Sequence, residues 1–179
     1  MSDDQVVLRP VAEDDLRVLE RFLTDPEAAG LFAWQGWSDP GRLRRMWAEN
    51  GLFDTEGGRL LVTCGADRVG FVSWRKILTS RTSSCWNLGI ALLPEARGRG
   101  FGTRAQRLAV EYLFAHTQAA RVEAVTEITN VAEQRALEKA GFTREGVLRG
   151  YAFRNGRWRD AVIYSVLRDE VHLADDATP

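Results

Sequence analysis

The alternation of apolar and polar positions divides the chain into short strands and amphipathic helices. Gln5 to Arg9 reads as a first strand, stopped by Pro10. Leu16, Leu19 and Leu23 recur at helical spacing, and Glu13, Asp14 and Asp15 suit the first turn of that helix. Asp25-Pro26 breaks it. Asp39-Pro40 has the form of an N-cap followed by proline at the first helical position; Leu43, Met46 and Trp47 form the apolar stripe and Asn50-Gly51 the stop. Gly57-Gly58 marks a loop. Leu60–Cys64 and Val69–Ile77 read as strands turning through Gly65-Ala66-Asp67, and Thr79–Ser84 as a polar loop. Trp86–Leu93 is apolar enough for a buried strand, which Pro94 ends. Ala105, Leu108, Ala109, Tyr112 and Leu113 then keep helical spacing. Arg121–Glu127 is a further strand. Asn130 opens a helix carrying Ala136, Leu137 and Ala140, with Gly141 beyond its end. Thr143–Phe153 and Arg157–Leu167 flank Asn155-Gly156, a strong hairpin signal. The order is β-α-α-β-β-β-α-β-α-β-β, without repeats or linkers.

At 179 residues, 45% hydrophobic and 27% charged, the chain has the size and make-up of one globular domain, residues 1–179 with 170–179 as a frayed acidic tail bearing Asp175 and Asp176. A net charge of −1 gives no reason to expect nucleic acid or a membrane surface as partner. Cys64 and Cys85 fall on or beside strands and read as small buried hydrophobes. Neither has metal-ligand spacing with His116 or His172, so no metal is expected. No apolar run spans a bilayer, and Met1-Ser2-Asp3-Asp4 lacks the apolar core of a signal peptide; the expectation is a cytoplasmic protein.

Between the strand at Trp86 and the helix after it lies Arg97-Gly98-Arg99-Gly100-Phe101-Gly102-Thr103. Alternate glycines let backbone approach a ligand, and a helix N-terminus leaves about four N–H groups unpaired in a field that favours anions. Phosphate is the common occupant of such a site, and the two arginines add bidentate donors. The plainer reading is a tight turn with two solvated arginines. A P-loop is excluded, because no Gly-Lys-Ser/Thr closes the loop. A dinucleotide fingerprint would need its third glycine where Thr103 stands, although Glu123 or Glu127 lies about 20 residues on.

Arg97-x-x-Gly100-x-Gly102 after a strand resembles the coenzyme A pyrophosphate loop of the GNAT superfamily of acyltransferases. A second block, Asn130-Val131-Ala132-Glu133 through Glu138-Lys139-Ala140-Gly141-Phe142, resembles the RimJ/RimL branch of N-acetyltransferases, and Glu145-Gly146-Val147-Leu148-Arg149 with Asn155-Gly156-x-Trp158-x-Asp160 extends the likeness. The resemblance covers almost the whole chain. It implies an α/β (α+β) fold with a mixed central sheet of about seven strands flanked by helices. It also implies coenzyme A bound where the strands Trp86–Leu93 and Arg121–Glu127 part, and acetyl-CoA as co-substrate.

Carried over residue by residue, it gives Ile90, Ala91, Leu92, Arg97, Gly98, Arg99, Gly100, Phe101, Gly102, Thr103, Asn130 and Lys139 as coenzyme contacts. A backbone amide at Ile90 or Leu92, turned inward by a bulge, would face the oxyanion. Trp34 and Trp37, between the first two helices, would wall the acceptor pocket, with Tyr151 a further substrate contact. Trp47, Trp74, Trp86 and Trp158 read as packing residues. Asn130 and Glu133 also form a capping-box pair, which explains both without a ligand; the branch has serine where Glu133 stands. Lys139 can equally oppose its helix dipole.

The implied acceptor is a primary amine of a small molecule or a peptide N-terminus, in a protein that could pair as a homodimer. An alkyl amine with a pKa near ~10 must lose a proton before it attacks. The family's tyrosine acid falls at Leu137 and the strand acid of its polyamine-acetylating members at Asn87. Glu123, mid-strand, is therefore the best remaining base, although it also reads as a solvated or salt-bridged strand carboxylate, with Asp160 and Tyr151 behind it and water as the alternative carrier. Two other functions stay open on sequence alone: an acyl-CoA-binding module without activity, suggested by Leu137, and a nicotinamide-dependent oxidoreductase, disfavoured because the first half lacks successive βαβ units.

Overall fold

A computed structural model describes residues 5–171. The N-terminal tetrapeptide, His172, Asp175 and Asp176 lie outside the described residues. The strands are β1 (Val6–Pro10), β2 (Phe53–Asp54), β3 (Gly57–Cys64), β4 (Asp67–Leu78), β5 (Ser84–Leu92), β6 (Arg121–Glu127), β7 (Thr143–Arg154) and β8 (Arg157–Leu167). The helices are α1 (Leu16–Thr24), α2 (Pro26–Ala29), α3 (Pro40–Asn50), α4 (Phe101–His116) and α5 (Val131–Lys139). The sheet runs β1-β3-β4-β5-β6-β8-β7, with the two-residue β2 as an eighth strand on β3. Every pairing is antiparallel except β5 with β6.

Period-two alternation sends neighbouring residues to opposite layers. Val62, Val72 and Trp74 pack with Ala105, Ala109 and Leu113 of α4, while Leu61 and Phe71 face Leu16, Leu19 and Leu43 of α1 and α3. Local rules place the helix ends. Asp39 caps α3 through a 2.8 Å bond from the Gly41 N–H, with Pro40 at its first position, and left-handed Gly51 ends it. Asn155 and Gly156, both at positive φ, close the β7–β8 hairpin.

Four readings of the pattern differ in the structure. Gly57 and Gly58 belong to β3 instead of a loop, because the Trp74 indole lies across the strand: a Cβ on Gly58 would come within 2.3 Å of the Trp74 ring. Gly58→Ala should cost about 1–3 kcal/mol of stability, measurable by chemical denaturation. Met46 turns outward (37% exposed), and Trp158 is 67% exposed, edge to face with Phe153 at a centroid distance of 5.4 Å. Asp15 does more than favour a helix start. It is fully buried at the end of a 3-10 turn (Glu13–Asp15), where it accepts bonds from Arg9 (2.6 and 3.0 Å), Arg68 and the Ala12 N–H. The Arg9 guanidinium above all, with Arg68, holds its carboxyl far below the usual range.

Candidate active site

The site opens where two strands stop pairing. β5 and β6 are in register only at Trp86–Val122 and Asn87–Glu123. Beyond that no further β5–β6 pair forms among the described residues, and Leu88 to Leu92 line a cleft of about 840 Å³. The pairing of β5 with β4 runs without a register shift, so divergence of β6, and not a bulge, opens the cleft there.

Along the rim, α4 begins at Gly100 without a side-chain cap and without an acidic residue in its first turn. Gly98 and Gly100 hold φ of +76° and +80°, which side chains rarely adopt. An unsatisfied N-terminus on a sixteen-residue helix, reached over bare backbone, is built for an anion. The arginines contribute less than their number suggests. Arg97 donates to the carbonyls of Leu92 (2.9 Å) and Ala28, tying α2 to the end of β5. Arg99 lies over the Phe101 ring at 4.6 Å, and both residues stand outside the cleft, with Phe101 buried in the core.

The cleft is lined by Ile90, Ala91, Leu92, Arg97, Gly98, Gly100, Gly102, Thr103, Asn130, Lys139 and Tyr151 among the residues expected from sequence. Trp34 and Trp37 are not part of its wall. They stack edge to face, centroids 5.2 Å apart, with Trp37 77% exposed, and Phe32 and Gln35 of the same loop line the cleft instead. Asn87 lines it too, but Glu123 sits behind Asn87. The Asn87 Nδ2 donates to Glu123 Oε1 at 3.3 Å, Arg75 Nε donates to Asn87 Oδ1 at 3.4 Å, and Arg121 approaches the other Glu123 oxygen at 3.6 Å.

Two polar pairs beside the cleft, Glu127 with Arg154 and Gln106 with Glu133, join residues far apart in the chain. Glu127 and Arg154, both buried, form a bidentate ion pair at 2.6 and 2.7 Å, which lowers the Glu127 pKa. Asn130 accepts from the Glu133 N–H (3.4 Å) and donates to Thr126 (3.0 Å), the forward half of a capping box. The return half is missing, because the Glu133 carboxylate meets Gln106 of α4. Gln106, 1% exposed, was legible in principle as a polar residue on a buried helical stripe.

Burial pushes the Glu133 carboxyl up to about 7 against the opposing Gln106 bond. A carboxyl with a raised folded-state pKa binds protons more tightly in the native state, so stability falls as pH rises from the ordinary carboxylate range through that value. Glu133→Gln should therefore stabilise the protein at pH 8 by roughly 1–3 kcal/mol and leave it nearly unchanged at pH 4, read from thermal unfolding at both.

A second groove of about 370 Å³ meets the cleft, sharing Arg75, Asn87 and Gly89 with it and running on past Ser73, Arg59, Asp54 and Met46. Among the described residues no group of three or more His, Cys, Asp or Glu could hold a metal ion, and no helix is long and apolar enough to cross a membrane.

A cleft between parting strands, an anion-ready helix start above it and a side groove at its inner end define a protein that holds a long phosphorylated ligand against a small one. Residues 5–143 match the acetyltransferase (GNAT) domain, and the chain belongs to that family. It is similar to a spermidine N(1)-acetyltransferase of Escherichia coli (strain K12), 26% identical over 99% of this chain and 94% of the relative. An L-amino acid N-acetyltransferase of the same organism is 30% identical over 65% of this chain and 72% of its own. The fold matches that of a spermidine N-acetyltransferase from Vibrio cholerae in complex with CoA and spermine, with a TM-score of 0.77 at 20% identity over 93% of this chain and 97% of that one. The protein is an acetyl-CoA-dependent N-acetyltransferase. A sheet with one parallel pair leaves no room for the nicotinamide reading.

Proposed function

We propose that this acetyltransferase acetylates the primary amine of a small molecule, on the scale of its side groove, in preference to a peptide N-terminus. The observation that carries the reading is the meeting of the two grooves at Asn87 and Gly89, where β5 and β6 part. Side grooves of a few hundred Å³ suit small ligands. Acetyl-CoA supplies an activated acyl group. The amides from Gly98 to Thr103 would hold its diphosphate, and Asn130 and the β5 edge its pantetheine arm. The Ile90 N–H would meet the developing oxyanion.

Glu123, behind Asn87, would take the amine proton through water. Leu137 is fully buried in the core and offers no acid; a leaving thiolate with a thiol pKa near ~8.5 can depart without one. The RimJ/RimL-like blocks at 130–142 and 155–160 support placement near that branch. The same reading includes a homodimer and a cytoplasmic setting: the exposed Phe153–Trp158 pair offers an apolar surface, and Cys64 and Cys85, both buried, sit as small core residues that need no oxidising compartment.

Thiol release from acetyl-CoA across a panel of small amines and peptides tests the proposal; turnover on peptides alone would overturn the preference stated here. Glu123→Gln should lower kcat by on the order of 100-fold with the KM for acetyl-CoA unchanged. An unaltered kcat across pH would remove Glu123 from the reaction.

A further inference from the structure

The side groove carries charge that the acetyl-transfer reading does not use. Arg59 pairs in register with Ser73, and Arg75 stands two residues further along β4, so both arginines leave the same sheet face as diagonal neighbours, about 7–8 Å apart at Cα. Ser73 is opposite Gly89, and Arg75 is opposite Asn87. The four side chains and the bare glycine make one floor, and it runs into the coenzyme cleft at Asn87 and Gly89.

Among the described residues neither arginine has a carboxylate within ion-pair distance. Arg59 is half-buried with its guanidinium over the Phe71 ring at 4.5 Å, and burial lowers its pKa. Arg75 makes one long bond, to Asn87. The acids of the groove do not answer them. Glu56 lies against Lys76 at 3.3 Å, and Asp54 accepts the Glu56 N–H at 2.7 Å. Two unanswered guanidinium groups in a groove repel a polycation and present planar forks that match a carboxylate.

Resting on the acetyl-transfer reading, we infer that Arg59 and Arg75 bind a carboxylate of the acceptor, so that the substrate class is amines bearing a carboxylate, as in an amino acid, and not polyamines. The register sets the arrangement: a carboxylate on the arginines of β3 and β4 leaves an amine a few ångströms away at Asn87 and Gly89 of β5, in front of Glu123.

The test is steady-state kinetics with acetyl-CoA on L-amino acids, their carboxamides and spermidine. The wild-type protein should favour the free carboxylate over the carboxamide by at least 10-fold in kcat/KM and turn over spermidine most weakly. Arg75→Met should raise the KM of the amino acid at least 10-fold while moving that of the carboxamide and of acetyl-CoA less than twofold. Arg59→Lys and Arg75→Lys, which keep charge but lose the fork, supply the same comparison should the methionine variant fold poorly. Preference for spermidine, or equal use of acid and carboxamide, overturns the inference while leaving acetyl transfer intact. No thiol release with any acceptor, acetyl-CoA still binding, overturns both.

Discussion

Gly100→Glu should abolish acetyl-CoA binding, by at least 100-fold in Kd, while the circular dichroism spectrum stays that of the wild type. Gly100 caps α4 at φ +80° and ψ 0°, and a Cβ built there meets nothing within 4 Å. The Cβ therefore adds no clash. It adds about 1–2 kcal/mol of left-handed strain and a carboxylate at the end of the helix that would receive the diphosphate. The added carboxylate satisfies the helix's free N–H groups itself and repels the ligand. Gly100→Ala separates the two effects: it carries the strain without the charge and should weaken binding by far less. Calorimetric titration reads both, and near-normal affinity in Gly100→Glu would take the loop out of the coenzyme site.

Arg154→Met should destabilise the fold by roughly 3–5 kcal/mol, because it leaves the buried Glu127 carboxylate without its partner. The double variant Glu127→Gln, Arg154→Met should recover much of that loss, since an uncharged, filled wall no longer holds a stranded ion. The sign of the pH dependence follows from the direction of the Glu127 shift. Its folded-state pKa lies below its unfolded value, so the pair's stabilisation is complete above the ordinary carboxylate range, near ~4.3, and is lost as pH falls through the folded value. Arg154→Met should flatten that acid limb in denaturation curves between neutral and acidic pH. A destabilisation below ~1 kcal/mol would mean water already screens the pair. Arg154 also lies 5.7 Å over the Phe32 ring, so the same variant should loosen the loop that lines the cleft at Phe32 and Gln35.

Several parts of the site could be read in the chain because neighbours within one turn dictate them. Asp39-Pro40 starts α3 and Gly51 ends it, Asn155-Gly156 closes a hairpin, and alternate glycines before an apolar-periodic segment make an anion-ready helix start. Other parts depend on which strand lies beside which. Glu127 meets Arg154 across 27 positions, Gln106 meets Glu133 across the same separation, and Glu123 falls behind Asn87 because β5 and β6 are in register at that rung. Trp34 and Trp37 show the converse. Their composition marks a binding surface, yet they stack on each other and leave the wall to Phe32 and Gln35.

The elements, their order and the glycine-rich start of α4 are readable from the chain alone, since hydrophobic period, caps and turn residues act over four residues or fewer. Long-range contacts settle where β5 and β6 part, that Arg97 braces carbonyls, and that Arg59 and Arg75 share one face of the side groove with no carboxylate at ion-pair distance among the described residues. Those outcomes rest on strand register and on which charges remain unanswered after packing, and both are set by contacts between segments far apart in the chain.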